Sequence, residues 1–89
     1  GKQMYLGKVV GNVVSTKKEE SLTGYKLMIV EVINRHGESL TEIVAVDPVG
    51  AGRGEFVLVA TGSSARMGVT GGQAPIDATI VGIVDTFEK

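Results

Sequence analysis

Short apolar runs punctuated by glycine and polar clusters set the pattern of this 89-residue chain. Val9-Val10, Val13-Val14, Leu27 to Ile33, Ile43 to Val46, Phe56 to Val59 and Ile80 to Val84 are β-branched or apolar stretches of strand length. Turn-forming clusters separate them: Ser15 to Gly24, Asn34 to Gly37, Pro48 to Gly54 and Gly71 to Pro75. Ser63 or Ser64 can cap one short helical turn through Arg66 and Met67, stopped near Gly68. No internal repeat and no linker interrupts this order. About five strands with one short helix predict an all-β fold, a small five-stranded Greek-key barrel resembling the OB fold.

The alternation inside the strands carries a second message. A half-buried strand is apolar on one face and polar on the other. From Tyr25 to Ile33, one face holds Tyr25, Leu27, Ile29 and Ile33, interrupted by Glu31. The other holds Lys26 and then Met28, Val30 and Val32. From Ile76 to Val84, one face shows Ile76, Ala78, Ile80, Gly82 and Val84, and the other ends in Val81 and Ile83. A small barrel has a single interior. Apolar groups on its outer face therefore need a covering loop, the short helix, or another protein surface. A cyclic oligomer with a head-to-tail interface buries two different patches on every subunit, and association is the expected outcome.

Size and composition narrow the classes. Eighty-nine residues make one domain, residues 1–89, and such a domain is marginal alone and gains from association. Gly1, Lys2 and Gln3 precede Met4 and are a candidate cloning remnant, with Met4 as the candidate native start. Without cysteine there are no disulfides and no thiolate metal sites. No apolar run approaches the ~20 residues of a membrane span, and the N-terminus lacks a signal-peptide pattern, so a cytoplasmic location is expected. A net charge of −1 with interspersed signs leaves no electrostatic footprint for nucleic acid. Two Phe, two Tyr and no Trp are few platforms for base stacking.

Candidate chemistry is thin. Gly50-x-Gly52-x-Gly54 is not a dinucleotide fingerprint, since Glu55 occupies the completing position, and the glycines lead into a strand rather than a helix. Gly62-Ser63-Ser64-Ala65-Arg66 lacks the final glycine of a nucleophile elbow, and no histidine follows it. The single histidine, His36, sits in Asn34-Arg35-His36-Gly37-Glu38, a hairpin tip with Gly37 suited to positive φ. Carboxylate-only magnesium or calcium binding stays open, although no EF-hand spacing occurs. Lys17-Lys18-Glu19-Glu20 reads as a solvated charged turn, or as a contact to a neighbouring tile. No catalytic residue, cofactor site or metal ligand is assigned.

Four segments nevertheless carry a specific resemblance. They are Met4 to Gly11, Ser21 to Leu27, Asp47 to Arg66 and Asp77 to Asp85. In this order and at this length, the chain resembles the pentameric vertex proteins of bacterial microcompartments, the carboxysome and ethanolamine-utilisation proteins among them. The resemblance implies the same barrel and a non-enzymatic structural role, in which homopentamers cap the five-fold corners of a polyhedral shell beside hexameric shell proteins. It implies neither nucleic acid nor membrane as a partner, and an axial pore by analogy. It also directs attention to a packed ring core at Gly50, Gly52, Gly54, Gly62, Ser63, Ser64, Ala65 and Arg66, with Val81 and Ile83 at the subunit seam. The alternative is an OB-like binding module for an oligonucleotide or small polar ligand, which predicts a basic groove with exposed aromatics.

Overall fold

In the computed structural model, residues 3–14, 24–62 and 78–86 are described. They form five strands: β1 (Gln3–Val13), β2 (Lys26–Ile33), β3 (Ser39–Asp47), β4 (Phe56–Thr61) and β5 (Ala78–Val84). Among the described residues no α-helix occurs, and the helical turn expected from Ser63 or Ser64 through Met67 falls outside them.

The ladder runs β1-β2-β3-β5-β4 and closes, because β4 pairs antiparallel with β1 from Gln3–Thr61 to Lys8–Phe56. Among the described strands, only the β3–β5 contact is parallel. Closure comes with a large stagger. Following partners around the sheet from Val13 leads to Leu27, Val46, Thr79, Ala60 and finally Met4, nine positions along β1 from the start. Such a stagger tilts the strands against the barrel axis and lets a few strands enclose a filled interior.

The interior is built almost wholly from β-branched and small side chains. Val9, Val30, Val57, Val59 and Ile80 have no exposed surface, with Ala45, Ala51, Ala78 and Met28 beside them. Valine and isoleucine fill a narrow barrel in few rotamers, so little side-chain entropy is lost on packing. Gly7 is part of this fit. A Cβ there would lie 2.5 Å from Val30 Cγ1 and 3.2 Å from the Glu31 carbonyl oxygen.

On β2, the face of Met28, Val30 and Val32 points inward, which leaves Leu27, Ile29 and Glu31 on the outer wall. Three irregularities break simple alternation. Val10, Leu40 and Val81 are each an extra residue with no opposite partner, in the β1–β2, β2–β3 and β4–β5 ladders respectively. Each bulge bends its strand and raises the local twist, which a tight barrel needs. The bulge at Val81 also shifts faces on β5. Ile80 lies opposite Val59, but Gly82 lies opposite Leu58 and Ile83 opposite Val57. The strict alternation expected for residues 76–84 therefore does not hold.

Several extents differ from the sequence reading. β1 is one eleven-residue strand that begins at Gln3 and runs through Gly7 and Gly11. β3 starts at Ser39, four residues before the apolar run that marks it in the sequence. Ladder pairing, with β4 and then β2 along β1 and with β2 along β3, holds glycine and polar residues in strands where side-chain preference alone does not.

Candidate functional site

Among the described residues, the Pro48 to Gly54 connection carries a dense set of hydrogen bonds outside the ladder. Asp47, at the end of β3, is 5% exposed. Its Oδ1 accepts from the amides of Val49 at 3.0 Å and Gly50 at 2.8 Å, and its Oδ2 accepts from Ala51 at 2.7 Å. One carboxylate thus wraps three successive amides, and this turns the chain so that Ala51 enters the core. The far side is pinned to β1. Gly54 donates to the Val9 carbonyl at 2.7 Å, and Val9 donates to the Glu55 carbonyl at 3.0 Å.

The glycines of this loop serve different ends. Gly50 and Gly54 have φ of 93° and 91°, and a Cβ at either would meet nothing within 4 Å. Their requirement is backbone conformation, not space. Gly52 has no positive φ, and its Cβ would lie 3.2 Å from Glu55 Oε1, the end of a flexible side chain that accepts the Gly52 amide. Nothing within the described subunit strictly requires glycine at position 52.

Of the other expected positions, Gly62 follows the end of β4 with φ of 69°. Ser63, Ser64, Ala65 and Arg66 lie outside the described residues. Val81 and Ile83 are 42% and 40% exposed on β5. The structure therefore separates the candidates into the Gly50–Gly54 loop, on the β1 side of the barrel, and the apolar positions of β5. Sequence reasoning missed further outward apolar residues: Met4, Leu40, Val44 and Val49, each exposed by more than two fifths. Leu40 and Met4 had no visible signal, because neither stood in a recognised strand.

The chemistry of enzymes finds little footing in the described part. His36 is exposed at the β2–β3 tip, where Asn34 Oδ1 accepts from the amides of His36 and Glu38 and Gly37 takes φ of 85°. Among the described residues no three of His, Cys, Asp and Glu gather closely enough to hold a metal ion. No helix there is long and apolar enough to cross a membrane. Described residues border at least two cavities. One of about 330 Å³ is bordered by Asn12, Tyr25, Lys26 and Arg53. The other, about 530 Å³, is bordered by Tyr5, Val32, Leu40, Ile43 and Thr61. Neither contains a pair of groups arranged for acid–base or nucleophilic work.

What this barrel offers is surface: a rigid glycine loop and exposed apolar strand positions. Residues 4–85 match the family model described as ethanolamine utilisation protein EutN/carboxysome. The chain belongs to this family. It is 53% identical to the bacterial microcompartment shell vertex protein GrpN of Rhodospirillum rubrum over 87 residues, 96% of this chain and 97% of that protein. The solved structure of that relative, described as a pentameric microcompartment shell protein, superposes with a TM-score of 0.86 at 51% identity, covering 96% of this chain and 99% of the other. The shell vertex protein PduN of Salmonella typhimurium is 49% identical over 89 residues, covering 94% of this chain and 98% of that one. The solved CcmL of Gloeobacter violaceus gives a TM-score of 0.85 at 41% identity, over 96% of this chain and 89% of its own.

Proposed function

We propose that this chain is a non-enzymatic shell protein whose homopentamers cap the five-fold vertices of a bacterial microcompartment in the cytoplasm. The observation that carries the reading is the likeness to GrpN, a pentameric shell protein, over nearly the full length of both chains. Exposed apolar residues on a barrel already filled inside agree with it. The mechanism is geometric. A flat sheet of hexagonal tiles cannot close, and five-fold units supply the curvature that seals a shell. Hexameric shell proteins of the same compartment are the partners at its rim.

Within that reading the barrel is the Greek-key, OB-like kind, supported by the strand order and by the large stagger of its ladder. A head-to-tail ring needs two unlike patches per subunit. The Gly50, Gly52 and Gly54 loop, with Gly62 and residues 63–66, is assigned to the ring core, and Val81 and Ile83 to the seam. A loop held by one carboxylate and two backbone bonds loses little entropy on docking, which suits a repeated contact.

The OB-like binding module predicts a basic groove lined with aromatics. Lys26 and Arg53 border one cavity with Tyr25, but no aromatic run accompanies them among the described residues. Native mass spectrometry of the purified chain decides the matter. A five-subunit ring is expected, and a monomer over the micromolar range would refute the vertex reading.

A further inference from the structure

We propose that the outward face of β3 is the seat of the next subunit in the ring, and that the Arg53 side chain of that neighbour enters between Glu31 and Glu42. The proposal rests on the ring reading above and specifies the contact.

The first ground is the ladder. β2 covers β3 along its length, from Lys26–Asp47 to Ile33–Ser39. That pairing fixes which side chains of the two strands stand side by side on the outer wall.

The second ground is side-chain chemistry. Val44, on the outer wall opposite Ile29, is 48% exposed, and Ile29 leans across Gly11, whose Cβ position lies 3.6 Å from Ile29 Cδ1. Two residues away on the same face, Glu42 lies directly opposite Glu31. Like charges facing each other across two strands are destabilising in an isolated sheet. Lys8 stands opposite Glu31 on β1, yet its ammonium sits over the Phe56 ring, 5.7 Å from the centroid. No described residue forms an ion pair with Glu31 or Glu42. An apolar pair beside two uncompensated carboxylates fits a partner that presents an apolar group beside a cation.

The same chain presents that combination. Val49, 44% exposed, and the exposed Arg53 both stand on the loop that Asp47 and β1 hold in place. Arg35, the other arginine among the described residues, sits at the hairpin tip against His36, Nε to Nε2 at 3.4 Å. A guanidinium between two carboxylates can bond to both, which makes Arg53 the better match than a lysine. Because loop and wall are different surfaces, each subunit can give Arg53 to one neighbour and receive it from the other.

The test is a charge exchange read by native mass spectrometry at matched subunit concentrations, with circular dichroism of each variant. Arg53→Glu and Glu42→Arg, made singly, are expected to raise the half-assembly concentration about tenfold or more while the barrel stays folded. Made together, they are expected to restore assembly to within about threefold of the unaltered protein. Val44→Asp, at an exposed position that spares the interior, is expected to weaken the ring as well. Singles that assemble like the unaltered chain, or a double variant no better than the singles, overturn the contact while leaving the ring intact as a reading. An unaltered chain that is itself monomeric overturns both, and so locates the failure in the ring reading.

Discussion

Replacing Asp47 tests whether one carboxylate shapes the glycine loop. Its three amide partners are unequal. Ala51 is buried at 3% exposure, so its amide has no water to turn to when Asp47 Oδ2 is removed. An unsatisfied buried donor costs about 1–3 kcal/mol, and the lost bond to a carboxylate lies toward the upper end. Val49 and Gly50 are exposed, and their amides can rehydrate, so each loses about 0.5–1 kcal/mol. Asp47→Ala is therefore expected to cost about 3–5 kcal/mol per subunit. A domain of this size has a total stability of roughly 5–10 kcal/mol, so the loss is a large share. Asp47→Asn separates charge and geometry from mere bulk. Its amide oxygen can still serve Val49 and Gly50, but its NH2 then faces the Ala51 amide, donor against donor. About 2–3 kcal/mol should be lost, or about 10–20 °C in Tm. The assay is thermal and urea unfolding followed by circular dichroism, at one fixed subunit concentration because assembly adds to apparent stability. Asp47→Asn within about 0.5 kcal/mol of the unaltered protein would show that the loop is shaped by something else.

Gly54→Ala forces a side chain to φ of 91° and is expected to cost about 1–2 kcal/mol by urea unfolding, with Gly50→Ala similar, although neither Cβ touches anything. Gly7→Ala pushes a Cβ to 2.5 Å from Val30 Cγ1, and a loss of about 1–3 kcal/mol with an unchanged far-ultraviolet spectrum is expected. Gly52→Val is expected to abolish the ring in native mass spectrometry while the separated subunit keeps the far-ultraviolet spectrum of a folded barrel. A folded and fully assembled Gly52→Val variant would remove position 52 from the ring core. Val30→Ala opens a cavity at a side chain with no exposure, and a loss of about 2–4 kcal/mol should appear in the same unfolding assay.

The parts of this fold legible in the sequence are those where composition and pattern agree. The runs Leu27 to Ile33, Phe56 to Val59 and Ile80 to Val84 are all strands, since β-branched residues pack well on a pleated, half-buried surface. The hairpin at Asn34 to Gly37 was equally legible, because Asn34 and Gly37 supply the bonds and the φ that a tight turn requires. The first half of β1 was not. Gln3 to Gly7 holds no run of β-branched residues and is ordered by pairing with β4, whose partner residues lie fifty or more positions away. The bulges were also invisible. Nothing in Val10, Leu40 or Val81 as residue types says that the partner strand skips them, and each skip turns every later side chain to the other face. As a result Val81 and Ile83 were rightly taken as exposed, while the alternation used to place them fails on β5.

The bulges have their cause in the size of the barrel. Five strands close around a core only with a large stagger, and bulges supply the bend and twist that such closure demands. The closed interior takes one face of each strand and leaves the other outside. On β2 and β3 that outer face sets Glu42 opposite Glu31, beside the exposed Val44, an arrangement that costs energy in a lone subunit. If the ring forms as proposed, Val44 faces a neighbour instead of water, and the paired carboxylates become the recognition element instead of a cost. On the same reading the exposed apolar residues of β3, β5 and the loop are surface for the assembly, left over once a small core has been filled.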